Sequence, residues 1–104
     1  MAASALSWAN DDRSEPRDAV HHRTRAHHGD GRLLPLVIVN TSSSGFMARC
    51  ETRVEQGDRL RVDLPVLGAV AAEVRWALGG RIGCRFVTTL GMGQYYEVLA
   101  ALRR

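Results

Sequence analysis

The sequence predicts an all-β fold: a six-stranded antiparallel β-barrel followed by a single C-terminal α-helix. Apolar and polar residues alternate in several short segments, which is the period of a strand with one buried face. Glycine, asparagine, aspartate and proline separate these segments at short spacing, as in antiparallel barrels. The apolar period changes to three and four residues only near the C-terminus, which indicates one helix after the strands.

The N-terminal residues predict a flexible tail. Apart from Leu6 and Trp8, residues 1–12 are small, polar or charged, so they have too few apolar groups to offset the entropy lost on ordering. We therefore expect a tail over 1–12 and one barrel domain over 13–104, because 104 residues suit a single domain. No secretory signal is visible, and no apolar run reaches the ~18 residues of a membrane span, so we expect a cytoplasmic protein.

Turn residues delimit the predicted strands. Gly29-Asp30-Gly31 predicts a hairpin between the first two strands, and Gly79-Gly80 predicts another between the last two. The second strand is apolar on both faces, so we expect it to lie centrally, with a bulge or an unpaired edge at Pro35. The six predicted strands cover residues 18–28, 32–39, 46–50, 58–64, 69–77 and 81–87.

The alternation in the last three strands predicts the barrel core, because apolar residues share one face and charged residues share the other. The two cysteines, Cys50 and Cys84, are expected to be reduced core residues, with a disulfide as the minority alternative. The side chains predicted to lie inside the barrel are those of Val62, Val74, Trp76, Ile82 and Phe86.

A helix is predicted from about Gly93 to Leu102. Apolar residues at steps of three and four place one stripe along it, and Arg103 and Arg104 follow at the end where positive charge suits the helix dipole. Because the helix comes after all the strands, we expect it to pack on the open mouth of the barrel. The predicted stripe consists of Met92, Tyr95, Tyr96, Leu99 and Leu102.

The charge pattern is compatible with a small anionic ligand. All fourteen basic residues are arginine, and the net charge is +3. This charge is too small and too evenly spread to indicate a nucleic-acid polymer as the partner. Guanidinium groups pair bidentately with phosphate and with base edges, so a smaller anion fits the composition.

The histidines do not predict a metal site. If residues 18–28 form a strand, His21 and His22 point to opposite faces, and His21 and His27 lie roughly 20 Å apart. No nucleophile can be matched with a base either, because the histidines are confined to this one strand. We therefore expect no metal, no catalytic residue and no enzymatic activity.

Two groups of residues remain as candidate sites. Arg13 and Arg17 precede the first strand and lie ~13 Å apart in an extended chain, so they can grip one medium-sized ligand from two sides. Residues 40–45 (Asn-Thr-Ser-Ser-Ser-Gly) predict a turn rich in short donors and acceptors, in which Gly45 permits a left-handed or closely approached backbone. The alternatives are an exposed charged tail and an ordinary polar turn.

The two groups together resemble the motifs of a known family. Arg-x-x-x-Arg at 13–17, followed by Asn-x-Ser-x-x-Gly at 40–45, resembles the RxxxR and (D/N)xSxxG motifs of the PilZ domain family, and the 22 residues between them suit one hairpin. Gly57-Asp58-Arg59-Leu60 and Gly83-Cys84-Arg85-Phe86 resemble later parts of the family pattern. The resemblance covers about residues 12–102 and implies a PilZ-like split barrel with a closing helix.

PilZ domains are bacterial receptors for the second messenger cyclic di-GMP, so the resemblance implies a non-catalytic receptor that transmits nucleotide binding to a partner protein. It implies that Arg13 and Arg17 contact the phosphates and guanine edges, while Asn40, Ser42 and Gly45 line the surface beneath a base. It implies no cofactor besides this ligand; we expect a monomer or weak dimer. The alternative is a nucleotide-independent interaction module, which would be indifferent to Arg13 and Arg17.

Overall fold

The computed structural model describes residues 17–104. Arg13 and the predicted tail over residues 1–12 lie outside the described residues, so the flexibility of that tail stays a prediction. The elements are β1 (Asp18–His28), β2 (Leu33–Ser42), β3 (Gly45–Arg49), β4 (Arg59–Leu64), β5 (Gly68–Leu78), β6 (Arg81–Phe86) and α1 (Met92–Leu102).

The six strands form a closed antiparallel barrel in the order β1-β2-β3-β6-β5-β4, and α1 follows them, which confirms the predicted fold class. The β5–β6 hairpin turns through Gly79 and Gly80 with φ of 61° and 77°, the left-handed conformation that a tight two-residue hairpin requires. The ring closes between β1 and β4 through only three residue pairs, Ala26–His28 against Leu60–Val62. The barrel seam is therefore short.

The core lies inside the barrel, and four of the five predicted core residues lie there. Val62, Val74, Ile82 and Phe86 are at most 3% exposed. Both cysteines are buried and free, which confirms the prediction that they are reduced. Burial raises the pKa of Cys84 to about 12, so this thiol stays protonated and unreactive.

Trp76 is the exception, because the prediction that it points into the barrel is wrong. The register between β5 and β6 shifts between Val74 and Trp76, so Trp76 pairs with Gly83 instead of continuing the inward alternation. The indole ring is half-buried and lies on Gly83, where an added Cβ would come within 2.1 Å of Trp76 Nε1. The bulge thus moves Trp76, the only aromatic residue of β5, to the outer face.

The second strand lies between β1 and β3, as expected of a central strand, but only one of its faces is fully buried. Leu34 and Leu36 are buried inside the barrel, whereas Leu33 on the other face is 50% exposed. Pro35 pairs with Arg25 of β1, and pairing with β3 begins only at Val37. This arrangement confirms the predicted unpaired edge at Pro35 and leaves apolar side chains on the outer surface.

The buried stripe of α1 differs from the predicted one in three residues. Met92 and Tyr96 are 55% and 59% exposed, whereas Val98, which is absent from the predicted stripe, is buried. The reason is angular: adjacent residues such as Tyr95 and Tyr96 lie about 100° apart on a helix, so only one of them can face the core centrally. The buried residues are Tyr95, Val98, Leu99 and Leu102.

His28 fastens the end of β1 to the loop before β4. Its Nδ1 accepts a hydrogen bond from the Asp30 N–H at 2.9 Å, so Nε2 carries the proton and donates to Asp58 Oδ2 at 2.8 Å. Asp58 Oδ2 also accepts from the Glu55 N–H at 2.9 Å. These hydrogen bonds lower the pKa of Asp58, and the bond from His28 has the larger effect.

Candidate functional site

A small depression on the outer surface brings together most of the residues that the sequence singled out. It lies where the end of β2, the start of β3 and β6 meet beside the start of β1. Of the predicted site residues, Arg17, Asn40, Ser42 and Gly45 line it. Arg13 lies outside the described residues.

The motif over residues 40–45 is strand for most of its length, which corrects the expected turn. Strand β2 continues through Ser42 and β3 begins at Gly45, so only Ser43 and Ser44 form the turn. The longer pairing arises because Thr41 pairs with Asp18 on one side and with Phe46 on the other. A paired backbone on both sides holds the motif in a defined position.

The serines of this motif stabilise the tight connection. Ser42 Oγ lies 3.1 Å from Ser44 Oγ and accepts a weak hydrogen bond from the Ser44 N–H at 3.3 Å. The Ser44 carbonyl accepts from the Phe86 N–H at 2.8 Å. Ser42 is only 4% exposed, so its hydroxyl group forms part of the floor of the depression and is hardly accessible to a ligand.

Gly45 permits a close approach of two backbones. It pairs with Arg85 of β6, and a Cβ at Gly45 would come within 2.1 Å of the Cys84 carbonyl oxygen. Gly45 does not have a positive φ, so the predicted left-handed backbone at this residue is wrong. The predicted close approach of two backbones is confirmed. Because Gly45 has no side chain, nothing projects from the backbone at the start of β3.

Arg17 is positioned by the residue that follows it. Asp18 starts β1 opposite Thr41, and its carboxylate accepts a hydrogen bond from the Tyr95 hydroxyl group and lies 3.7 Å from Arg103 Nη2. Helix α1 therefore holds the start of β1. Partial burial lowers the pKa of the Arg17 guanidinium, which still remains protonated at any physiological pH.

Arg85 is a site residue that the sequence analysis missed. It lines the same depression as Arg17, because the β3–β6 register places it directly opposite Gly45. The sequence signal was the Gly83–Phe86 segment, whose resemblance to the family pattern was noted without a role for Arg85. Among residues 17–104, the lining of the depression contains two arginines and no carboxylate.

The depression is too shallow to enclose an organic ligand. Its volume of about 10 Å³ is roughly the space that one water molecule requires. A ligand larger than a small ion must therefore lie on the surface over Asn40 and Gly45, flanked by the arginines. Polar amide and hydroxyl groups beneath and guanidinium groups at the sides suit a flat, anionic molecule.

The described part of the chain contains neither a candidate metal site nor a candidate membrane-spanning helix. Within residues 17–104, no three histidine, cysteine or acidic side chains are close enough to hold a metal ion. The same residues contain no helix long and apolar enough to cross a bilayer.

Comparison with known proteins adds one finding. The family model described as the PilZ domain matches residues 11–103, a range that contains both arginine positions and the whole 40–45 motif. A search among curated proteins finds no match.

Proposed function

The chain belongs to the PilZ domain family, whose model matches almost its whole length, and on this premise we propose that it is a receptor for cyclic di-GMP. PilZ domains are known as receptors for this nucleotide. The observation that carries the proposal for this chain is the grouping of Arg17, Asn40, Ser42 and Gly45 around one depression, with Arg85 beside them.

The chemistry of the ligand matches that of the surface. Cyclic di-GMP carries two phosphates and two guanines, and the O6/N7 edge of guanine is the preferred bidentate target of arginine. Arg17 and Arg85 flank the floor formed by Asn40 and Gly45, and Arg13 stands four residues before Arg17. Guanidinium planes also stack on purines, so one arginine can bind a phosphate while another covers a base.

The proposed mechanism is capture without a chemical step. The nucleotide rests on the exposed part of the 40–45 motif, and the segment from Arg13 to Arg17 folds over it. Because Asp18 is bonded to Tyr95 of α1, a change at Arg17 has a direct route to the helix. The altered surface then binds a partner protein, and no residue is required as a general acid or base.

Titration calorimetry of the full chain with cyclic di-GMP tests the proposal. We expect saturable heat with cyclic di-GMP and a markedly lower affinity in the Arg17→Ala variant. Added GMP at the same concentration should not compete, because GMP cannot bridge both arginines. A wild-type chain that gives no heat at high micromolar nucleotide would contradict the proposal. The nucleotide-independent interaction module would then be the better description.

A further inference from the structure

A second group of arginines lies across the outer face of the barrel, away from the depression. The strand register places Arg23, Val37 and Arg49 side by side on β1, β2 and β3. Arg81 on β6 pairs directly with Arg49, and Leu78 on β5 pairs with Arg81. We call these five residues the arginine row; Arg49 lies four residues along β3 from Gly45, or roughly 13 Å.

Within the described part of the chain, the arginines of this row lack acidic ion-pair partners. Within residues 17–104, no carboxylate lies within ion-pair distance of Arg23, Arg49 or Arg81, whereas Arg25 and Arg32 nearby each have an aspartate partner. Like charges directly opposite each other on neighbouring strands destabilise a sheet. The Arg49–Arg81 pair therefore carries a repulsion that an anionic group bound between them would relieve.

Apolar side chains interrupt the positive charges. Leu78 is 80% exposed, Leu33 on the same face of β2 as Val37 is 50% exposed, and Val37 itself is partly buried. Between Arg23 and Arg49 the surface forms an open cleft of about 490 Å³, whose lining also includes Pro35 and one acidic residue, Glu51. Cations interspersed with apolar groups match a segment that carries both acidic and apolar residues.

We infer that the arginine row is a docking surface for an acidic, amphipathic segment of a partner protein. Carboxylates of that segment pair with Arg49, Arg81 and Arg23, while its apolar side chains cover Val37 and Leu78. The exposed apolar groups favour a peptide over a nucleic acid, whose backbone offers phosphates without aliphatic side chains. The inference does not depend on nucleotide binding, because the row shares no residue with the depression.

A nuclear magnetic resonance titration of the isotope-labelled full chain tests this docking surface. The probe is a short synthetic peptide in which glutamate and leucine alternate. We expect amide shifts centred on Val37, Arg49 and Arg81, and an affinity that falls on the order of threefold in Arg49→Gln or Arg81→Gln and tenfold in the double variant. The reversal Arg49→Glu should remove binding altogether.

Matched controls make the outcome decisive. Arg61→Gln removes an exposed arginine from β4, outside the row, and should leave the peptide affinity unchanged. The row variants should unfold at the same temperature as the wild type or slightly higher, because a repulsion is lost, and should bind cyclic di-GMP as the wild type does. Equal loss of peptide affinity in Arg61→Gln, no shifts at the row, or equal binding of a serine–leucine peptide would overturn the inference. So would tighter binding of a single-stranded oligonucleotide that needs the same arginines.

Discussion

The hydroxyl group of Tyr95 donates a hydrogen bond to Oδ2 of Asp18 across 77 residues of sequence and so fastens α1 to the first strand of the barrel. The same hydroxyl oxygen lies 3.1 Å from the Thr41 carbonyl oxygen, inside the segment that carries the Asn-x-Ser-x-x-Gly motif. Burial, and then the bond to Asp18, raise the pKa of Tyr95, so it remains a protonated donor at all physiological pH values. One side chain thereby joins the helix, the start of β1 and the end of β2.

Replacing this hydroxyl group should destabilise the domain measurably. Tyr95→Phe leaves Asp18 without its donor, and a hydrogen bond to a charged group contributes about 1.5–3 kcal/mol. Urea denaturation measures the change in the free energy of unfolding. Tyr96→Phe is the matched control, because that ring is 59% exposed and should change stability by less than ~0.5 kcal/mol. Equal effects of the two variants would show that the bond to Asp18 contributes nothing.

The contact between Trp76 and Gly83 predicts a coupled pair of substitutions. Gly83→Ala places a methyl group where the indole ring lies, so the ring must move, at a cost of about 1–3 kcal/mol. Adding Trp76→Ala removes the clash, so the double variant should be less destabilised than the sum of the single variants. Urea denaturation of all four proteins gives the coupling energy. Strict additivity would mean that the ring and the glycine do not touch in solution.

Most of the fold follows from the sequence, and the misplaced residues show where local patterns stop being informative. Alternation located the last three strands to within a few residues, because one face of each packs into a single core, and turn residues delimited the first three. Alternation could not locate the bulge beside Trp76, since Val74 and Trp76 fit an uninterrupted period of two equally well. The motif residues were found from their spacing, but Arg85 could not be assigned to the site because its position depends on the β3–β6 register.

The close approach of two backbones at Gly45 means that the fold itself requires a glycine there. A substitution at Gly45 therefore cannot test nucleotide binding separately from stability. A methyl group there would collide with the Cys84 carbonyl, which is backbone and cannot swing aside, so Gly45→Ala should cost about 2 kcal/mol or more. The same collision predicts that Gly45→Val loses both the fold and nucleotide binding. Gly93→Ala is the control in thermal denaturation: it lies in α1 with open space around it and should stabilise by up to ~1 kcal/mol.

The His28–Asp58 bond predicts how stability depends on pH. The pKa of Asp58 is lower in the folded state than its usual ~4, so its contribution is fully present above that value and is lost as the pH falls through the folded pKa. The melting temperature should therefore drop in acid, and less so in Asp58→Asn. Asp63→Asn, which removes a carboxylate bonded to no histidine, should keep the wild-type acid dependence. An Asp58→Asn protein with the full acid dependence would contradict this account.

The arginine variants decide whether this domain is a nucleotide receptor. If Arg13 and Arg17 each make charge-assisted bonds to cyclic di-GMP, removing either should cost ~1.5–3 kcal/mol, which is roughly 10- to 150-fold in affinity. Arg85→Ala should have a comparable effect, because Arg85 lines the same depression as Arg17. Titration calorimetry measures all three.

The controls in that series separate specific contacts from general charge. Arg17→Lys keeps the charge but loses the planar fork that matches guanine O6/N7, so it should restore only part of the affinity. Arg23→Ala and Arg25→Ala remove equal charge from the outer face of β1 and should cost only a small effect that disappears with added salt. If all these variants weaken binding equally, the nucleotide is held by net charge alone. The depression of Arg17, Asn40 and Gly45 would then not be its binding site.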